Sequence, residues 1–111
     1  MNDTDAFRLE LPGAGLEVHG LRAGTPGGRP LLFLHGWPEW SQAWQPVLQR
    51  LPAGHDLVAP DLRGFGATRP RSGQPDATAG PARHADDLLA LADRLGWSSF
   101  GLVSHDVGSF V

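Results

Sequence analysis

Three short apolar runs, alternating with two predicted helices, constrain the fold of this 111-residue chain most strongly. The strands that they predict lie at residues 31–34, 56–60 and 99–104, and apolar runs of this kind are typical of strands that are covered on both faces of a parallel sheet. Residues 41–51 and 81–95 are predicted as helices, the second from apolar side chains at helical spacing. Strands that alternate with helices imply right-handed crossovers. The pattern therefore predicts an α/β fold.

The chain before the first of these strands has the pattern of an antiparallel hairpin. Residues 7–22 alternate apolar and polar side chains on both sides of a Pro-Gly turn, as half-exposed strands do. Residues 1–6 are mostly polar and are predicted to form a disordered tail. Residues 7–111 are therefore expected to form one partial α/β core domain, with connecting loops at 23–30 and 61–80.

The predicted helices carry recognisable end signals. Ser41 is the expected N-cap of the first helix, and Pro46 inside that helix removes a backbone donor, which predicts a bend. Gly96 is expected to close the second helix. Residues 84–87 are expected to form its solvated start.

Composition excludes several classes of protein. Hydrophobic residues make up 41% of the chain and charged residues 19%, which describes a globular protein. A net charge of −3 does not suit nucleic-acid binding, and the apolar runs are too short to span a membrane. With no cysteine and no histidine pair at ligand spacing, neither a metal nor a cofactor is expected. The N-terminus lacks the order of a signal peptide, which predicts a cytoplasmic protein.

Asp106 stands among small residues directly after the last predicted strand. Ser104 lies two residues before it and Gly108 two residues after it, a spacing that permits a sharp strand-to-helix turn. Such a turn points its central side chain into the crevice where α/β sheets bind ligands. A carboxylate there could be a nucleophile, because the following helix N-terminus keeps it ionised. It could equally be the N-cap of that helix, and these residues alone leave both roles open.

The loop after the first parallel strand is expected at the same edge of the sheet. Gly36 permits a sharp turn, Pro38 holds its exit, and His35 is predicted to brace the loop as a structural histidine. The backbone N–H of Trp37 would then face the crevice. It could pair with the N–H of Val107 as a two-donor oxyanion site.

The loop after the second parallel strand contains charged residues that could fix its shape. Asp61 and Arg63 are predicted to tie this loop down. Gly64 and Gly66 allow tight turning, but a third glycine and a following helix are missing, which excludes a dinucleotide site.

These three stretches follow one another in a recognisable order: His-Gly-Trp-Pro, then Asp-Leu-Arg-Gly-Phe-Gly, then Ser-His-Asp-Val-Gly. The chain resembles the N-terminal half of the α/β-hydrolase fold over residues 7–111, and within that fold it most resembles epoxide hydrolases and their aspartate-nucleophile relatives. The resemblance implies that Asp106 attacks an epoxide carbon of a small-molecule substrate. The alkyl-enzyme ester so formed would be hydrolysed by water, with the N–H groups of Trp37 and Val107 steadying the negative oxygen.

Other activities of the same fold remain as alternatives. Haloalkane and haloacid dehalogenases both resemble this chain. Trp37 fits one halide-binding position of the haloalkane enzymes, whereas the side chain of Val107 cannot donate; fluoroacetate dehalogenases have arginines where this chain has Val107 and Phe110. An ester hydrolase would need serine at the position of Asp106. A non-catalytic interaction module is the third alternative.

Resemblance to the N-terminal half alone has consequences for activity and assembly. In this fold the acid and the histidine of the catalytic triad follow the nucleophile, as does the cap domain. The sequence continues for five residues after Asp106, so the expectation is a truncated enzyme half that is inactive by itself. The last strand would form an exposed apolar edge, and self-association through that edge is expected.

Overall fold

A mixed sheet with a helix on each face makes up most of the protein that the computed structural model describes, namely residues 2–72 and 80–111. The strands are β1 (Thr4–Leu11), β2 (Leu16–Gly24), β3 (Arg29–Leu34), β4 (His55–Pro60), β5 (Arg69–Pro70) and β6 (Gly101–Ser104). The α-helices are α1 (Gln45–Arg50) and α2 (Pro81–Leu95), and 3₁₀ helices occupy Pro12–Ala14, Ser41–Trp44 and Asp106–Phe110.

The strand order is β1-β2-β4-β3-β6, and the two-residue strand β5 pairs with β2. β1 and β2 form an antiparallel hairpin, and β2 also pairs antiparallel with β4. β3 lies between β4 and β6 and is parallel to both. The predicted α/β architecture, an N-terminal hairpin followed by parallel strands, is therefore confirmed.

The apolar run of β3 fills a core on each face of the sheet. Leu32 and Leu34 point to the side covered by α2, where they join Leu91, and Phe33 points to the side covered by α1, where it joins Leu48. Successive side chains of a strand alternate between faces, so a continuous apolar run is what a strand covered on both sides requires.

The N-terminal segment is more ordered than the sequence predicts. β1 begins at Thr4, and residues 4–6 pair with residues 21–23 of β2, so the disordered tail predicted for residues 1–6 is wrong over that part. The Asn2 side chain also donates hydrogen bonds of 2.9 Å to the carbonyls of Leu48 and Leu51. These bonds hold the start of the chain against the end of α1.

The first predicted helix divides into two parts. A 3₁₀ helix covers Ser41–Trp44, and α1 begins only at Gln45. Pro46 therefore lies in the first turn of α1, where a missing backbone donor costs nothing, and the predicted conflict does not arise. Ser41 is not the N-cap as predicted; Trp40 takes that position.

In the second half of the chain, α2 agrees with the prediction, whereas the short strand β5 was not predicted. α2 covers the predicted residues, and Gly96 ends it in a left-handed conformation at φ 76°. Two residues of the predicted loop, Arg69 and Pro70, pair with Glu17 and Leu16 of β2. The part of that predicted loop at residues 73–79 lies outside the described residues.

β6 is shorter and more exposed than predicted. The prediction of a buried strand over residues 99–104 is wrong: β6 starts at Gly101, and Leu102 is 54% exposed. The reason is its place in the sheet, because β6 pairs with β3 on one side and, among the residues described, with no strand on the other. Within that same part of the chain, no helix has the length and hydrophobicity needed to cross a bilayer.

Candidate functional site

The carboxyl ends of the parallel strands bring the predicted site residues together. Leu34, the last residue of β3, is in register with Ser104, the last residue of β6. The loop after β3 and the turn after β6 therefore start side by side, at the edge of the sheet where α/β folds bind ligands.

Asp106 occupies a strained turn directly after β6. Its φ is 54°, and among the described residues no other non-glycine residue has a positive φ. L-residues avoid this left-handed conformation, and such strain clusters at functional sites. His105, not Asp106, is at the N-cap of the following 3₁₀ helix, which has no side-chain capping bond. The helix-cap role that the sequence left open for Asp106 is therefore not what the fold uses.

The carboxylate of Asp106 instead accepts hydrogen bonds from main-chain donors. The N–H of Trp37 donates to Oδ2 at a distance of 3.1 Å. This bond is the main cause of the lowered pKa of Asp106, and a second hydrogen bond from the N–H of Val107 lowers that pKa further. The carboxylate is consequently ionised at neutral pH, and the two N–H groups predicted as an oxyanion pair face the same side chain.

Two glycines permit this close approach. A Cβ on Gly36 would lie 2.7 Å from Cβ of Asp106 and 3.1 Å from its Oδ2. A Cβ on Gly108 would lie 2.7 Å from the carbonyl oxygen of His35. Any larger side chain at either position would push the turn after β6 away from the loop after β3. Pro38, at the exit of that loop, follows Trp37 through a cis peptide bond.

His35 joins two loops from a buried position. Its side chain is 1% exposed; Nδ1 donates to the carbonyl of Gly36 at 2.8 Å, and Nε2 accepts from the N–H of Leu62 at 2.9 Å. An imidazole with one donor and one acceptor nitrogen is neutral. Burial lowers the pKa of His35, which agrees with that neutral form. The ring thus connects the loop after β3 to the loop after β4.

Asp61 organises the loop after β4. Its Oδ1 accepts from the N–H of Ser41 at 2.7 Å, and its Oδ2 accepts from the N–H of Ala67 at 3.0 Å. Gly66 packs directly against this carboxylate, where a Cβ would collide with it. One buried carboxylate therefore closes its own loop and ties it to the 3₁₀ helix at Ser41–Trp44.

Arg63 anchors the same loop to α2. It donates to both carboxylate oxygens of Asp87 at 2.8 and 2.7 Å, and also to the carbonyl of Ala14 at 3.2 Å. Arg63 and Asp87 are both buried. The expectation of a solvated helix start at residues 84–87 is therefore wrong for Asp87 and for His84, which is also buried.

Sequence reasoning missed Glu39. Its Oε1 accepts from the N–H of Gly36 at 2.9 Å and lies 3.3 Å from Nδ1 of His105. The spacing of three residues from Gly36 was a local signal for a turn. The partner His105 is 66 residues away, so only the tertiary structure reveals that contact.

Metal binding has no support in the part of the chain that is described. There, no group of three or more histidine and carboxylate side chains is arranged to hold a metal ion.

Comparison with known proteins identifies the family. The family model described as alpha/beta hydrolase fold matches residues 29–111. A soluble epoxide hydrolase from Corynebacterium sp. is 36% identical over 98 residues, which are 87% of this chain and 32% of that protein. A haloalkane dehalogenase from Psychrobacter cryohalolentis is 33% identical over 97 residues, which are 86% of this chain and 31% of that protein.

Solved structures agree with the sequence comparison. The crystal structure of an epoxide hydrolase from Vigna radiata superposes with a TM-score of 0.78 at 31% identity, covering 97% of this chain and 32% of that one. This chain thus spans about a third of the length of the relatives it matches. With its mixed sheet and its strained turn after β6, the chain belongs to the α/β-hydrolase fold family.

Proposed function

We propose that this chain carries the nucleophile of an epoxide-hydrolase-like enzyme, and that Asp106 is that nucleophile. The observation that carries the proposal is the hydrogen bond from the N–H of Trp37 to Oδ2 of Asp106. It holds one carboxylate oxygen in place and leaves the other as the attacking atom. Relatives named as epoxide hydrolases support the choice of substrate class.

The first chemical step is a displacement at an epoxide carbon. Oδ1 of Asp106 forms a bond to that carbon, the carbon–oxygen bond of the ring breaks, and the released alkoxide takes a proton from water. The product is an alkyl ester of Asp106. Ionisation of the carboxylate favours this step, because only the ionised form is a good nucleophile.

The second step returns the free carboxylate. Water attacks the ester carbonyl carbon, whose oxygen is the former Oδ2, and one proton of that water passes to the departing alkoxide oxygen. The N–H groups of Trp37 and Val107 then donate to the negative oxygen of the tetrahedral intermediate, which is how an oxyanion site lowers a barrier. Collapse of the intermediate releases a diol and restores Asp106.

Dehalogenation of a haloalkane is the second candidate. The same attack by Asp106 would break a carbon–halogen bond and release halide. The haloalkane dehalogenase relative favours this alternative, as does Trp37, which is 65% exposed and whose main-chain N–H bonds Asp106. A serine-dependent ester hydrolase is less favoured, because position 106 holds a carboxylate.

We also infer how the 111 residues behave by themselves. In the family that the sequence resembles, the acid and histidine that activate water follow the nucleophile, so we expect the ester on Asp106 to persist. The exposed apolar edge at β6 supports self-association of this chain. The cytoplasmic location stays a prediction.

Peptide mapping by mass spectrometry tests the proposed nucleophile. The chain is incubated separately with styrene oxide and with a primary bromoalkane, digested and analysed for alkyl esters. We expect an adduct on Asp106 that the Asp106→Asn variant lacks, and the more reactive electrophile indicates the substrate class. An adduct only on other residues, or none with either reagent, would refute the proposal.

A further inference from the structure

Glu39 lies at the junction between the loop after β3 and the turn after β6. Its Oε1 accepts from the N–H of Gly36 at 2.9 Å and lies 3.3 Å from Nδ1 of His105. A Cβ on Gly36 would lie 2.9 Å from this oxygen and 3.1 Å from Oδ2 of Asp106. The carboxylates of Glu39 and Asp106 therefore flank the same glycine.

The peptide group between Gly36 and Trp37 is held from its carbonyl side. The carbonyl oxygen of Gly36 accepts from Nδ1 of His35 at 2.8 Å and from the N–H of Glu39 at 3.0 Å. In a planar trans peptide the C=O and the following N–H point in opposite directions. Bonds to the carbonyl of Gly36 consequently direct the N–H of Trp37 toward Asp106.

We propose that Glu39 is a positioning residue for Asp106: its carboxylate joins the N–H of Gly36 to the imidazole of His105, and so keeps the N–H of Trp37 on Oδ2 of Asp106. His105 directly precedes Asp106, so Glu39 links the two segments that carry the donor and the acceptor. The proposal rests on the proposed role of Asp106 as nucleophile. Glu39 itself touches no reacting atom.

The charge and reach of Glu39 suit this role. A carboxylate oxygen that accepts from a main-chain N–H makes a stronger bond than a neutral acceptor does. Glutamine has the same length and retains an acceptor oxygen, whereas alanine removes the connection between Gly36 and His105. The pair of substitutions therefore separates the effect of the hydrogen-bonded connection from the effect of the negative charge.

Two measurements on the whole chain test the proposal. The first is the amide proton shift of Trp37 by NMR, together with the titration of the Asp106 carboxyl carbon. The second is the rate at which styrene oxide labels Asp106. In Glu39→Ala we expect the Trp37 proton to move upfield, the pKa of Asp106 to move toward its ordinary value and labelling to slow by about tenfold. In Glu39→Gln we expect values near those of the original chain.

Glu10→Ala is the matched control, because Glu10 is a carboxylate on β1 that is paired with Arg8 and Arg71. It should leave the Trp37 proton and the labelling rate unchanged. If Glu39→Ala does not fold, His105→Ala removes only the other end of the connection and should shift the Trp37 proton in the same direction.

The outcomes distinguish the two proposals. An unchanged Trp37 proton and labelling rate in a folded Glu39→Ala chain, or an unchanged Trp37 proton in His105→Ala where Glu39→Ala does not fold, overturns the positioning role. Absence of labelling in the original chain overturns the nucleophile instead. In that case the Trp37 proton still reports whether Glu39 holds the donor in place.

Discussion

The N–H of Trp37 donates to Oδ2 of Asp106 across 69 residues of sequence. This bond joins the loop after β3 to the turn after β6. It exists because the two strands are parallel neighbours whose last residues, Leu34 and Ser104, are in register. The proposed roles of Asp106 depend on this contact between the loop after β3 and the turn after β6.

Substitution of Gly36 by alanine should separate the two loops. The new Cβ would meet Cβ of Asp106 at 2.7 Å, which forces a shift of backbone. We expect a loss of about 1–3 kcal/mol in the free energy of unfolding, as for other overpacked sites. Labelling of Asp106 by an epoxide should also be strongly reduced. Gly13→Ala is the control, because a Cβ there meets nothing within 4 Å; equal effects of the two substitutions would contradict this account.

Acid should destabilise the fold through His35. Burial lowers the pKa of His35 in the folded chain below its ordinary value of about 6.5. The unfolded chain therefore binds a proton first, so stability is full above about pH 6.5 and falls as the pH drops toward the folded pKa. The free energy of unfolding, measured with urea from about pH 8 to about pH 5, tests this expectation, because histidine changes its charge in that range.

The control for that experiment is His55→Gln, which alters a histidine whose ring makes an exposed contact with the nearby carbonyl of Pro52. It should keep the pH dependence, whereas His35→Gln should lower stability at neutral pH and flatten the curve. A stability that rises as the pH falls below 6.5 (about the ordinary histidine pKa) would exclude the proposed effect of His35.

The buried pair of Arg63 and Asp87 should be sensitive to removal of one partner. Arg63→Met leaves the carboxylate of Asp87 buried without its cation, which typically costs about 3–5 kcal/mol. Arg71→Ala breaks an exposed pair with Glu10 and should cost less than about 1 kcal/mol. Chemical denaturation of both variants gives the comparison. Similar losses would show that burial does not set the strength of the Arg63 pair.

Self-association should depend on β6. A lysine in place of Leu102 puts a charge on the exposed apolar edge, and charged side chains on edge strands oppose pairing between sheets. We expect sedimentation velocity to show a shift from oligomer to monomer in Leu102→Lys. Leu89→Lys alters an equally exposed leucine on α2 and should not change the assembly. A monomeric original chain would disprove association through this edge.

The strands and the second helix were predictable because their signals are local. The alternation of residues 7–22 predicted the hairpin, and the apolar run of β3 predicted a strand covered on both faces. Gly96 marked the end of α2 because a left-handed residue is needed there. Pro46 was misjudged, since the same residue that breaks a helix interior is well suited to its first turn.

The exposure of β6 and the partners of the polar side chains could not be predicted from local sequence signals. The composition of β6 is that of a buried strand, but its exposure depends on which strands lie beside it. Asp87 was predicted to belong to a solvated helix start. Its burial is explained by Arg63, which lies in another loop and donates to its carboxylate. Glu39 carried no signal that could identify His105 as its partner.

The sequence by itself determined the order of the elements, the family and the identity of the residue at the tip of the turn, because periodicity, glycine spacing and motif order are properties of neighbouring residues. The tertiary structure alone decided that Asp106 accepts a hydrogen bond from Trp37 and that His105, not Asp106, is the N-cap of the following helix. A helix cap and an accepted bond from another loop use the same carboxylate oxygens. Which donor they meet depends on strands that the fold brings together from distant parts of the chain.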